Sequence, residues 1–191
     1  MTTSEVQGVL QYLKSGSNAK YHASQAGQAR EAIHEGEYVH QTVPMSNGRL
    51  RDDWNLDQQG FALLSHSSNV KNFYNDQELE TVYNSEMIQL LKEHTGANRI
   101  HIFDHTRRSS SAHVRTKQQV REPSSVIHND YTEWSATKRL HELLGEDIEI
   151  SSSRFSIVNV WRSVDITPVE SWPLALCDST SLQAGDLHSV Q

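Results

Sequence analysis

Within residues 75–96, Leu79, Val82, Tyr83, Met87, Leu90 and Leu91 recur at steps of three and four, a period that a helix turns into one apolar face. Such a face has to be buried, so the rest of the fold must supply a surface against it. Asn75 and Glu78 have the spacing of a capping box, and Gly96 stands where a helix closes on a left-handed residue. Met87 and Tyr83 are therefore read as core residues. Elsewhere the pattern shortens. Alternation over 37–43 fits a strand followed by a turn at Ser46-Asn47-Gly48, and 99–104, 154–161 and 173–177 also read as strands. A second helix is predicted over 132–144, capped by Thr132, ended by Gly145, with Ala136, Leu140, Leu143 and Leu144 facing inward. The polar, Ser- and Arg-rich stretch between them, up to about Pro123, reads as a long loop.

One long helix among short strands points to an α+β domain built around a β-sandwich or barrel. With 191 residues, a single domain is expected over 1–191: an N-terminal arm with short strands over 1–50, then the core over 51–191. The formal charge is −7 with Lys and Arg scattered and no basic stripe, which argues against nucleic acid as a partner. The single cysteine, Cys177, allows no internal disulfide, and the N-terminus lacks the basic start and apolar core of a signal peptide. No apolar run reaches membrane-spanning length. A cytoplasmic protein with no membrane partner is the expectation.

Eleven histidines leave spacing to pick out any that bind metal. The sharpest local signal is Val126-Ile127-His128-Asn129-Asp130-Tyr131-Thr132, where an apolar strand leads into the chain's one His-x-Asp triplet. Two residues of this kind at a strand end can face one cation: His offers a neutral nitrogen, Asp an anionic oxygen, and a facial set of two His and one carboxylate leaves positions open on ferrous iron. The competing reading makes Asp130 the cap of the following helix and His128 an ordinary surface or core histidine.

The chain resembles a family of hydroxylases and desaturases from fungal and bacterial secondary metabolism, which includes the aspergillic-acid-type tailoring oxygenases and the cephamycin hydroxylase component. The resemblance runs from about Gly8 onward. It is carried by Leu56-Asp57-Gln58-Gln59-Gly60-Phe61, Thr95-Gly96-Ala97, Ile102-Phe103-Asp104-His105-Thr106-Arg107-Arg108, the His128 block with Ser135-Ala136, Arg154-Phe155, Asn159-Val160-Trp161-Arg162 and Pro173-Leu174-Ala175-Leu176-Cys177-Asp178. It implies a double-stranded β-helix (jelly-roll, cupin-like) core with flanking helices and an enzyme using Fe(II), 2-oxoglutarate and oxygen on a small-molecule substrate. His128 and Asp130 would be the first two metal ligands. It also implies a third ligand, a histidine beyond the 173–178 block with a basic residue after it. His188 is the only histidine there and no Arg or Lys follows, so the chain is expected to be incomplete at its C-terminal end.

No catalytic acid, base or nucleophile is assigned. Arg154 and Arg162 are candidate cosubstrate contacts, because a planar guanidinium matches the two oxygens of a carboxylate; their alternative is a salt bridge at a sheet rim. His141 reads as a solvated helix residue. His34-Glu35-Gly36-Glu37-Tyr38 lacks the second histidine of a zinc-protease helix, and Asp104-His105 has no serine elbow to serve. A second reading is an inactive, truncated homologue that acts only by binding, with an exposed apolar edge and a homodimer as its candidate assembly. A methyltransferase ranks last, since no Gly-x-Gly-x-x-Gly occurs.

Overall fold

The computed structural model describes residues 4–22, 33–145 and 154–190. It is a small mixed α/β structure with antiparallel strand pairs, and it divides into two compact units, one made of 1–64, 108–157 and 169–191, the other of 65–107 and 158–168.

In the first unit, β1 (Glu5–Leu13) pairs antiparallel with β4 (Tyr38–Ser46), from Glu5 opposite Ser46 to Leu13 opposite Tyr38. Val9 meets Thr42 and Tyr12 meets Val39, cross-strand pairs of the β-branched and aromatic residues that strands favour. A Cβ on Gly8 would lie 2.5 Å from the Met45 Cε, so glycine there lets the methionine lie across the strand. β2 (Lys20–His22) and β3 (Ile33–Glu35) form a second short antiparallel pair. After β4 the Asn47 side chain accepts from the Arg49 amide at 3.0 Å and opens a short 3-10 turn over Gly48–Leu50, at the turn expected from Ser46-Asn47-Gly48. The Trp54 indole donates to the Gly48 carbonyl at 2.8 Å, and its ring packs on Phe61 at 4.7 Å. The 56–61 block is then a docking point. Ser179 donates through its hydroxyl to Gln58 O at 2.6 Å and through its amide to Gln59 O at 3.0 Å, and Arg154 pairs with Asp57 at 2.6 Å.

The expected loop before Pro123 contains a helix, α3 (Ala112–Gln118). Its start is a serine cap: Ser111 Oγ accepts from the Val114 amide at 3.3 Å. Arg115 holds the carbonyls of Ser109 and Ser110 at 3.2 and 2.9 Å. With only Ala112 and Val114 as apolar residues, α3 shows no apolar period, and its stability comes from these local hydrogen bonds. The next helix, α4 (Glu133–Leu144), is where the sequence places it. Thr132 Oγ1 accepts from the Ser135 amide at 3.1 Å, the Ser135 hydroxyl accepts from the Thr132 amide at 2.9 Å, and Gly145 closes the helix at φ 92°. Its inward face is only partly covered: no residue of α4 is buried, and Leu143 and Trp134 are exposed. Local capping therefore matters more for α4 than for a core helix, and Thr132→Ala is expected to cost about 1 kcal/mol, read as lost helicity by far-UV circular dichroism and a lower denaturant midpoint.

In the second unit the amphipathic run of 75–96 is one continuous helical rod of three segments: α1 (Asp76–Glu78), a π-helical turn (Leu79–Tyr83) and α2 (Asn84–Thr95). Asn75 caps it by accepting from the Gln77 and Glu78 amides at 3.0 and 3.4 Å, and Gly96 ends it at φ 68°. Glu78 turns outward to hold the Lys71 and Asn72 amides at 2.6 and 3.2 Å. Leu79, Tyr83 and Met87 are buried with Val70, and Phe73, Val82, Leu90 and Ile102 pack against them. Steps of four overshoot a 3.6-residue turn, and one wider turn takes up the drift, which keeps all three residues on one face. Glu86 pins the chain before the helix, accepting from Ser68 Oγ at 2.5 Å and from the Asn69 amide at 2.7 Å. Burial pushes its carboxyl up, but these hydrogen bonds together outweigh it and hold the group below the usual carboxylate range.

Three expected strands are not strands. Residues 99–104, 154–161 and 173–177 run without a ladder. Alternation favours an extended chain, but a strand exists only when a neighbour takes its backbone hydrogen bonds. In 99–104 the apolar residues are used differently, with Ile102 packed against the helix cluster. Along the other two, Val160, Trp161, Leu174 and Leu176 are exposed. No helix among the described residues is long and apolar enough to cross a membrane.

Candidate metal centre

The His128 block is tied to the first unit through β1. Gln11 and Val126 form a parallel bridge, the Ile127 amide donates to Gln11 O at 3.2 Å, and Val126 is buried. This anchor sets the direction in which the next residues leave the sheet. The Nδ1 of His128 lies 2.8 Å from the Val126 carbonyl, an acceptor only, so Nδ1 carries the proton and donates. The Ser124 hydroxyl is 3.4 Å from the same nitrogen and donates to the same carbonyl at 3.3 Å. With Nδ1 fixed in this way, Nε2 is left facing the Asp130 carboxylate, 3.4 Å from Oδ1. Both side chains are about half exposed, at 46%.

A positive charge is favoured between these two atoms. The hydrogen bond to Asp130 raises the His128 pKa above its ordinary value against the opposing effect of burial, the Val126 carbonyl adds to the rise, and the positive charge of Arg108 works the other way. A proton there would exclude a metal cation from that position, since only neutral imidazole binds metal. The capping role weighed for Asp130 falls to Thr132, whose side chain takes the helix amide. Among the described residues no group of three His, Cys, Asp or Glu side chains is arranged to hold a metal.

The other singled-out residues lie elsewhere. Arg154 is largely exposed and paired with Asp57. Arg162, in the second unit, lays its guanidinium 5.2 Å from the ring centre of Phe73 and 5.8 Å from that of Tyr83, and donates to the His66 carbonyl at 3.3 Å. Its Nε is buried with no hydrogen-bond partner. Burial raises the pKa of the Tyr83 hydroxyl, against the nearby Arg162 charge. His188 lines an open cavity of about 300 Å³ with Leu13, Lys14 and the 16–18 turn. His141 lies in the last turn of α4, half-buried. Glu35 belongs to β3, so the His34–Tyr38 stretch forms no protease helix; the side chain of His34 lies outside the described residues. His105 contacts Asn84 at 2.8 Å. Sequence reasoning missed Ser124 and Arg108 at the His128 block; the Arg107-Arg108 pair was visible, but nothing in the spacing linked either residue to His128.

A family model described as "Oxidoreductase/YMDC permease-like domain" matches residues 10–191. The chain belongs to this family. Among relatives of known name, the chain is 30% identical to a hydroxylase/desaturase, CTB9, of Cercospora beticola over 80% of its own length and 51% of the relative's. It is 31% identical to the Fe(II)/2-oxoglutarate-dependent dioxygenase nvfI of Aspergillus novofumigatus over 73% and 51%, and 27% identical to the alpha-ketoglutarate-dependent dioxygenase phiK of a fungal species over 78% and 55%. The chain spans about half the length of the curated relatives it matches. These names agree with the hydroxylase/desaturase resemblance carried by the sequence blocks. No solved structure matches the chain.

Proposed function

We propose that this chain contributes the His-x-Asp half of an iron- and 2-oxoglutarate-dependent oxygenase that hydroxylates or desaturates a small metabolite. The observation that carries the reading is the 3.4 Å approach of His128 Nε2 to Asp130 Oδ1 with Nδ1 held by the Val126 carbonyl. A neutral imidazole nitrogen and a hard carboxylate oxygen on one side of the chain suit ferrous iron. The names of three fungal relatives support the same chemistry. Bound iron with 2-oxoglutarate and oxygen would supply the oxidation of a C–H bond. The part of this chain is to present Nε2 as a lone pair, through the hydrogen bond that locks the opposite nitrogen, and to offset the metal charge with Asp130. A double-stranded β-helix is the fold we propose for the complete oxygenase domain.

Arg154 and Arg162 enter the proposal as carboxylate contacts. A ligand would have to displace Asp57 from Arg154, whereas Arg162 has an Nε free of protein acceptors. The test is titration with cobalt(II), a paramagnetic stand-in for iron, followed by NMR of the histidine rings. Binding is expected to be weak, because two donors do not define a facial site, and to broaden His128 selectively. If His128 and Asp130 stay unperturbed while other histidines respond, the metal reading fails. Succinate release coupled to oxygen uptake by this chain would reveal a third donor within it, and loss of that activity in His188→Ala would identify it.

A further inference from the structure

We infer that Ser124 is a positioning residue for His128: its hydroxyl holds the ring proton on Nδ1 and so keeps the Nε2 lone pair free on the side of Asp130. The inference rests on the oxygenase reading only for what Nε2 would bind. In a neutral ring the two nitrogens share one proton, and an acceptor stands at each end. The Val126 carbonyl lies 2.8 Å from Nδ1, and Asp130 Oδ1 lies 3.4 Å from Nε2. The carbonyl is closer, but the carboxylate is charged and so is the intrinsically stronger acceptor. A proton drawn to Nε2 would block the atom that a cation needs. It would also leave a bare Nδ1 lone pair against the carbonyl oxygen.

Ser124 weights the Nδ1 end. Its Oγ donates to Val126 O at 3.3 Å and stands 3.4 Å from Nδ1. With its one proton committed to the carbonyl, the hydroxyl turns oxygen lone pairs toward the ring, and Nδ1–H meets two acceptors instead of one. An exposed hydroxyl at these distances acts only where the backbone keeps it in place, and here the backbone is tied on both sides. Before Ser124, Arg108 bridges Arg121, the Ser109 amide donates to Arg121 O at 2.8 Å, and Arg108 Nη1 donates to Glu122 O at 2.8 Å. The ring of Pro123 then locks its own φ. After Ser124, Val126 bridges Gln11 and the Ile127 amide donates to Gln11 O. All of these residues belong to the same unit as His128 and Asp130, so the hydroxyl is set against the ring by the chain path and not by its own side-chain freedom alone.

The experiment reads the tautomer directly. Long-range ¹H–¹⁵N NMR of the His128 ring in the full chain, in alkaline medium where the ring is neutral, separates a proton-bearing nitrogen from one with a free lone pair. The unaltered chain is expected to show the proton on Nδ1. In Ser124→Ala the two ¹⁵N shifts should move toward each other as the Nε2–H form gains population, and cobalt(II) affinity should fall about tenfold, the low end for an outer partner of a metal-binding histidine. Ser124→Thr keeps the hydroxyl and should retain both properties, while Ser125→Ala, one exposed residue along, should change neither. Far-UV circular dichroism checks that each variant is folded. A proton on Nε2 in the unaltered chain, unmoved ¹⁵N shifts in Ser124→Ala, or a Ser124→Thr chain that behaves as Ser124→Ala overturns the inference. Cobalt(II) that leaves His128 untouched in the unaltered chain, while Ser124→Ala still shifts the tautomer, would sink the metal reading and leave the role of Ser124 standing.

Discussion

Asp130→Asn is expected to weaken cobalt(II) or ferrous binding by about two orders of magnitude or more, since it replaces the proposed anionic ligand by a neutral amide; removing even the outer partners of metal ligands costs about 10–100-fold. The same substitution has a readout that needs no metal. The Asp130 carboxylate is the largest cause of the raised His128 pKa, so in Asp130→Asn the His128 ring should titrate back toward the ordinary histidine value of about 6.5. The sign for stability follows from linkage. A folded pKa raised above the unfolded one stabilises the protein fully below about pH 6.5 and loses that contribution as pH rises through the folded value. The stability gap between the unaltered chain and Asp130→Asn should therefore be widest in mild acid and close on the alkaline side. Both groups are half exposed, so screening keeps the gap small. An Asp130→Asn chain with an unmoved His128 titration would show that the two side chains do not meet in solution. On the proposed metal reading, proton and metal act in opposite directions, and ferrous binding should weaken as the medium becomes acidic.

The second large effect is on the fold. Met87→Ala should destabilise the second unit by about 2–5 kcal/mol, the range for truncating a buried methionine or leucine. Met87 is 3% exposed and sits with Leu79, Tyr83 and Val70 in the one buried cluster found among the described residues. Trp134→Ala is the matched control: the tryptophan is larger but 72% exposed on α4, and its truncation should stay within about 0.5 kcal/mol, as surface substitutions usually do. Urea denaturation followed by circular dichroism separates the two. If Met87→Ala and Trp134→Ala cost the same, the cluster around the helix is not the core.

The same contrast shows which parts of the fold could be read from the residues. The helix around Met87 was legible because its signals are local: a three- and four-residue apolar period, Asn75 and Glu78 at cap spacing, and Gly96 at the end. Thr132 and Gly145 bounded α4 for the same reason. The helix α3 was hidden because it has a serine cap but no apolar face to reveal it. For the site, the residue types and spacing of His128 and Asp130 named the pair, but the orientation that brings Nε2 to Oδ1 comes from the Val126 carbonyl, and the bridge to Gln11 holds that carbonyl's residue in place.

The sequence by itself determined the two capped helices, the strand before the Asn47 turn, the His-x-Asp pair and the family to which its ordered blocks belong, because each rests on neighbours within a few residues or on block identity. Only the tertiary structure decided which alternating runs become strands, since a ladder needs a partner far along the chain: β1 finds β4, while 99–104, 154–161 and 173–177 find none. It also decided that Thr132 rather than Asp130 caps α4, that Arg154 meets Asp57 and that Arg162 meets Phe73 and Tyr83. Charge and planarity make every arginine a possible carboxylate partner, and the chain's path through space determines which acids, if any, lie within reach.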